Sequence, residues 1–113
     1  MTSRHRIMHE QFSGLVAAPF TPFHADGQLN LEPIPRLARL LAANRIRAAF
    51  VCGTTGEGSS LTLEERRRVA EAWRAALPPG VALIVHVGCP SMGESCELAR
   101  HAQAIGRSEE RRV

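Results

Sequence analysis

Phe50-Val51-Cys52-Gly53-Thr54-Thr55-Gly56-Glu57-Gly58-Ser59-Ser60 is the stretch on which the reading of this chain turns. An apolar run, Ala48 to Cys52, leads into it and suits a short strand, and a helical pattern begins just behind it near Thr62. The stretch is therefore a strand-to-helix turn rich in glycine and hydroxyl groups. In α/β proteins ligands gather beyond the carboxyl ends of strands, where backbone N–H groups and short polar side chains can converge on an anion. This turn is the candidate site.

Three readings of the turn compete. Gly53 and Gly58 are separated by four residues and are followed by Ser59-Ser60, which comes close to the phosphate cradle G-x-x-x-x-G-K-[ST]. The lysine position of that pattern is Ser59, and the chain contains no lysine, so nucleotide hydrolysis is disfavoured. Glycines at 53, 56 and 58 also run in the wrong order for the dinucleotide fingerprint G-x-G-x-x-G. A second reading is purely local: the glycines allow positive φ, while Thr54, Thr55, Ser59 and Ser60 bond the nearby backbone. The third is a carboxylate-binding loop, in which the paired threonine hydroxyls and exposed N–H groups hold a small keto acid.

Working outward, Gly14-Leu15-Val16-Ala17-Ala18, closed by Pro19, is apolar on both faces and suits a strand of a covered parallel sheet. His24-Ala25-Asp26-Gly27 is turn chemistry. Pro33 and Pro35 fit the first turn of a helix, where their missing N–H groups would be unpaired anyway, and Ile34, Leu37, Ala38 and Leu41 mark its buried face. Downstream of the glycine turn, Thr62-Leu63-Glu64-Glu65 is a capping box, with Val69, Ala70, Trp73 and Leu77 at helical spacing until Pro78-Pro79-Gly80. Val81 to Val87 forms the third strand. Ser91-Met92-Gly93-Glu94 repeats the capping box, Leu98, Ala102 and Ile105 follow as the buried stripe, and Gly106 fits a C′ cap. The order is β-α-β-α-β-α, an α/β chain of three successive units on a parallel sheet.

Composition narrows the function classes. The chain has 113 residues, 44% of them hydrophobic and 22% charged, which is one small globular domain at most. All 14 basic residues are arginine, and tyrosine is absent, so two side chains that catalysis often recruits are missing. Arg66-Arg67-Arg68 reads as a solvated helix face, because Glu64 lies four before Arg68 and Arg67 four before Glu71. With aromatics at 4%, no basic stacking surface for nucleic acid is expected. Cys52, Cys89 and Cys96 show neither disulfide nor zinc spacing and read as buried free thiols. Neither a metal nor a cofactor is expected. No signal-peptide core appears in the polar leader 1–13, and the longest apolar run, Val81 to Val85, is far too short for a bilayer. A cytoplasmic protein without membrane partners is expected.

Phe50 to Arg66, Phe-Val-Cys-Gly-Thr-Thr-Gly-Glu-Gly-Ser-Ser-Leu-Thr-Leu-Glu-Glu-Arg, closely resembles the signature of the dihydrodipicolinate synthase and N-acetylneuraminate lyase superfamily. Gly14 to Phe23 resembles that family's first strand, and Ile84-Val85-His86-Val87-Gly88-Cys89 its third. The resemblance spans about Gly14 to Gly106. It implies a (β/α)8 barrel with its site at the carboxyl ends of the strands. It also implies class I aldolase chemistry, in which a lysine amine forms a Schiff base with pyruvate. By position, Thr54 and Thr55 match the hydroxyl pair that binds the pyruvate carboxylate, Thr54 also relaying a proton towards a tyrosine. Gly53, Gly56 and Glu57 match structural positions, the Glu57 carboxylate accepting bonds from the turn. His86-Val87-Gly88 resembles the sialate lyase branch more than the synthase branch. On its own, His86 at a strand end reads as a packed core histidine.

The family's lysine and tyrosine lie on later strands, and this sequence contains neither residue type. A closed barrel needs about 200 residues and eight strands, so residues 14–106 read as the first three β/α units of an incomplete barrel. Residues 107–113 read as a charged tail, truncated or frameshifted. The chain is expected to be an amino-terminal piece of a keto-acid aldolase, inactive alone, whose full-length relatives are homotetramers. A dihydrodipicolinate synthase or related aldolase is the alternative within the family. A non-catalytic interaction module that pairs through its open sheet edges is the alternative outside it.

Overall fold

Three short apolar runs become three parallel strands. In the computed structural model, which describes residues 14–107, β1 (Leu15–Ala17), β2 (Ile46–Val51) and β3 (Ala82–Val85) form one sheet in the order β1-β2-β3. Val16 lies opposite Ala48, Ala49 opposite Leu83, and Val51 opposite Val85. The second strand starts earlier than its apolar run and stops at Val51. Cys52 cannot continue it, because its φ of 62° is left-handed. The third strand stops at Val85, short of the expected Val87, because its partner has already turned away. Among the described residues only His86 keeps a tie to β2, its N–H donating to the Val51 carbonyl at 3.1 Å.

Helix α1 (Ile34–Ala43) has Pro33 as its N-cap and Pro35 in its first turn, where neither proline breaks a bond. It closes on Asn44, and Arg45 then takes a left-handed φ of 61°. Helix α2 (Leu63–Ala76) begins with the expected capping box. The Glu65 N–H donates to Thr62 Oγ1 at 3.0 Å and the Thr62 N–H donates to Glu65 Oε1 at 2.9 Å. Helix α3 (Met92–Arg107) closes only half of its box: the Glu94 N–H donates to Ser91 Oγ at 3.2 Å, with no reciprocal bond among the described residues. Gly106 lies inside the last turn of α3 and is buried, so it is not the C′ cap. The leader 1–13 lies outside the described residues, as does the tail beyond Arg107.

The core forms where the helices meet one face of the sheet. Trp73 sits 1% exposed in a cluster with Ile34, Ala38, Ala49, Val51, Val69, Leu77 and Leu83. Leu98 and Ala102 of α3 are buried as well, and Ile105 packs against the cluster. Each of the valine, leucine and isoleucine side chains fully buried here contributes roughly 1.5–3 kcal/mol by leaving water. The other sheet face carries Val16, Phe50 and Ile84, none of them fully buried. Leu15 and Phe20 are 68% and 53% exposed, and among the described residues β1 and β3 each have a strand on one side only. No described helix is long and apolar enough to cross a membrane.

The arginine run is not a uniform solvated face. Arg68 is exposed, Arg67 is half-buried and Arg66 is buried. Arg67 pairs with Glu64 at 3.5 Å and with Glu97 of α3 at 3.1 Å, and Glu71 pairs with His101 of α3 at 2.7 Å. The partners are thus i,i+3 and interhelical, because α3 docks along this side of α2.

Candidate functional site

The glycine turn is built by close approach of backbone to backbone. The Gly58 N–H donates to the Gly53 carbonyl at 3.0 Å and the Glu57 N–H to the Thr54 carbonyl at 3.0 Å, and Gly58–Ser60 then form a single 3-10 turn. A Cβ on Gly58 would fall on the Cys52 carbonyl, and one on Gly56 would lie 2.9 Å from the Cys52 nitrogen and 3.3 Å from the Pro19 carbonyl. These glycines are therefore needed for space. The left-handed positions fall on Cys52 and Glu57 instead, with φ of 62° and 60°, at a cost of about 1 kcal/mol each. Buried Thr21 completes the seat: its hydroxyl donates to the Gly56 carbonyl at 2.5 Å, tying the loop after β1 to the turn after β2.

Thr54 and Thr55 stand exposed on this fixed base. Neither their hydroxyls nor those of Ser59 and Ser60 bond the backbone among the described residues, contrary to the purely local reading. The N–H groups of Thr54 and Thr55 likewise meet no acceptor there. Two hydroxyls and two amides are thus uncommitted at the carboxyl edge of the sheet, a donor set suited to a carboxylate. Glu57 is exposed, and its part in the turn is played by its backbone: its carbonyl accepts from the Ser60 N–H at 2.9 Å. Among the described residues its carboxylate accepts nothing from the turn. Gly53, like Gly56, is buried beneath the threonines.

The end of β3 closes the other side. His86 is exposed, not packed in the core, and its ring lies 5.8 Å from that of Phe50 at 58°. Arg66, read from the charge run as solvated, points inward. Its Nη2 donates to the His86 carbonyl at 2.7 Å and its Nη1 to the Gly88 carbonyl at 2.8 Å, with Cys89 Sγ at 3.3 Å. Helical spacing held the signal for this, since 66, 69, 70 and 73 share the stripe that buries Val69, Ala70 and Trp73. Thr21 carried no such signal.

The three cysteines differ. Cys96 is exposed, Cys89 is partly buried and Cys52 is buried. Burial pushes the Cys52 thiol from 9.0 up to about 11, partly opposed by the nearby positive charge of Arg66. Cys52 is therefore a neutral thiol at pH 7 and no nucleophile. Among the described residues no group of three or more histidine, cysteine or acidic side chains could hold a metal ion.

Known proteins share both the sequence and the geometry. The chain is 48% identical over 102 residues to an N-acetylneuraminate lyase of Danio rerio, covering 86% of this chain and 32% of that protein. It is 45% identical over 110 residues to the N-acetylneuraminate lyase of Gallus gallus, covering 96% and 34%. Among solved structures, Proteus mirabilis N-acetylneuraminate lyase superposes with a TM-score of 0.78 at 48% identity, over 81% of this chain and 31% of that one. Dihydrodipicolinate synthase from Aquifex aeolicus gives 0.78 at 33% identity, over 84% and 32%. The chain spans about one third of the length of these relatives, and its fold is three β/α units of their (β/α)8 barrel. A family model described as the Dihydrodipicolinate synthetase family matches residues 11–109, and this chain belongs to that family.

Proposed function

We propose that this chain supplies the carboxylate-holding part of a Schiff-base-forming, pyruvate-dependent aldolase of the N-acetylneuraminate lyase type, which splits sialic acid into N-acetylmannosamine and pyruvate. One observation carries the reading. Thr54 and Thr55 present uncommitted hydroxyls and amides on a turn that is fixed from below at the carboxyl edge of a parallel sheet. In this role the two threonines donate to the pyruvate carboxylate, each such bond to a charged group contributing about 1.5–3 kcal/mol. The Thr54 hydroxyl also passes a proton towards a phenol. Neither that phenol nor the Schiff-base amine can come from these 113 residues, which hold no tyrosine and no lysine. Alone, the chain binds the keto acid weakly and does not turn it over. The completed enzyme is read as a cytoplasmic homotetramer.

Within the family, the superposition alone does not separate lyase from synthase, with a TM-score of 0.78 for each. Identity favours the lyase, 48% against 33%. The test is a graft in which residues 14–106 replace the matching third of the Proteus mirabilis lyase. We expect the graft to cleave sialic acid, and Thr55→Val within it to lower kcat/KM on the order of 10²–10³-fold. A folded graft whose Thr54→Val and Thr55→Val variants cleave as well as the parent would contradict the proposal.

A further inference from the structure

We propose that Arg66 is a positioning residue of the carboxylate site: its guanidinium fixes the segment leaving β3, and with it His86, beside the Thr54–Thr55 turn. The inference rests on the function proposed above and deepens it.

Arg66 is 4% exposed, and no carboxylate among the described residues balances its charge. Its Nη groups hold the carbonyls of His86 and Gly88, while its buried Nε has no partner among the described residues. As a device for stability alone this is a poor choice, since an apolar side chain of similar volume secures a helix–sheet contact at least as well as a buried charge. What the arginine adds is geometry. A planar fork can hold two carbonyls two residues apart in fixed directions, which neither an aliphatic side chain nor the point charge of lysine can do.

The segment it holds needs such a fix. Sheet pairing of β3 ends at Val85, and beyond it, among the described residues, only the His86 N–H still reaches β2, at the Val51 carbonyl. Val51 directly precedes Cys52, on which the glycine turn is seated. Arg66 itself rises from the first turn of α2, the helix that this same turn feeds. The end of β3 is therefore tied to β2 by one backbone bond and to α2 by the fork, and both ties run back to the turn that carries the threonines. His86, exposed against Phe50, sits where these ties meet.

Two measurements test this, using Arg66→Lys and Arg66→Met. In the 113-residue chain, hydrogen exchange should show the His86 amide, which donates to the Val51 carbonyl, losing protection in both variants, while residues 69–76 of α2 keep theirs. In the grafted lyase, both variants should lower kcat roughly 10- to 100-fold with KM changed far less, as expected for a misplaced group rather than a lost binding contact. Folded Lys and Met variants with unchanged kcat, or with unchanged protection of the His86 amide, would overturn the inference. Failure of the function itself is told apart by Thr55→Val: if that variant abolishes cleavage while the Arg66 variants do not change it, the positioning role alone is wrong.

Discussion

The ends of β2 and β3 are neighbours at one edge of the sheet, yet they are fixed by different means. The β2 end is a backbone junction in which glycines pack against the Cys52 main chain and Thr21 pins the Gly56 carbonyl. The β3 end hangs on a side chain, Arg66, reaching across from α2. A backbone junction tolerates almost no added atom but holds small groups such as Thr54 and Thr55 rigidly. A side-chain clamp can be weakened without dismantling the fold, which suits a segment whose role is to set distance.

The largest expected effect would break the first of these. Gly58→Ala places a methyl group against the Cys52 carbonyl, where only backbone could give way, and should destabilise the chain by about 3 kcal/mol, read from the urea midpoint. A smaller effect comes from the thiol sealed in the same junction. Cys52 has its folded pKa raised to about 11 from 9.0, so the folded state keeps its proton longer than the unfolded state. Its contribution is fully present below pH 9 and is lost as pH rises from about 9 to 11, amounting to about 2–3 kcal/mol. Denaturation across that range should show this slope, and Cys52→Ala should flatten it. The smallest effect serves as a control on the comparison. Thr62→Ala removes the α2 cap and should cost about 1 kcal/mol while leaving hydrogen exchange of the His86 amide unchanged.

This contrast also explains what could be read from the chain alone. Strands, helices and the parallel order followed from apolar runs, prolines and the Thr62–Glu65 box, all of which act locally. The turn was visible for the same reason, but the use of its glycines was not. Gly56 and Gly58 are small because Cys52 and Pro19 approach them, a fact of tertiary packing, while the left-handed residues are Cys52 and Glu57. Arg66 was hidden because its charge matched a solvated run, although its spacing matched the buried stripe. Where charge and periodicity disagreed, periodicity located the side chain. The Thr21 tie joins loops 35 positions apart and leaves no local trace.

The proposed role of this turn is to hold a keto-acid carboxylate. The most direct measurement is sialic acid cleavage by the Proteus mirabilis lyase carrying residues 14–106 of this chain, with and without Thr55→Val. Cleavage by the graft, and its loss on the order of 10²-fold or more in a variant that still folds, is the predicted result. Equal cleavage by both would contradict it.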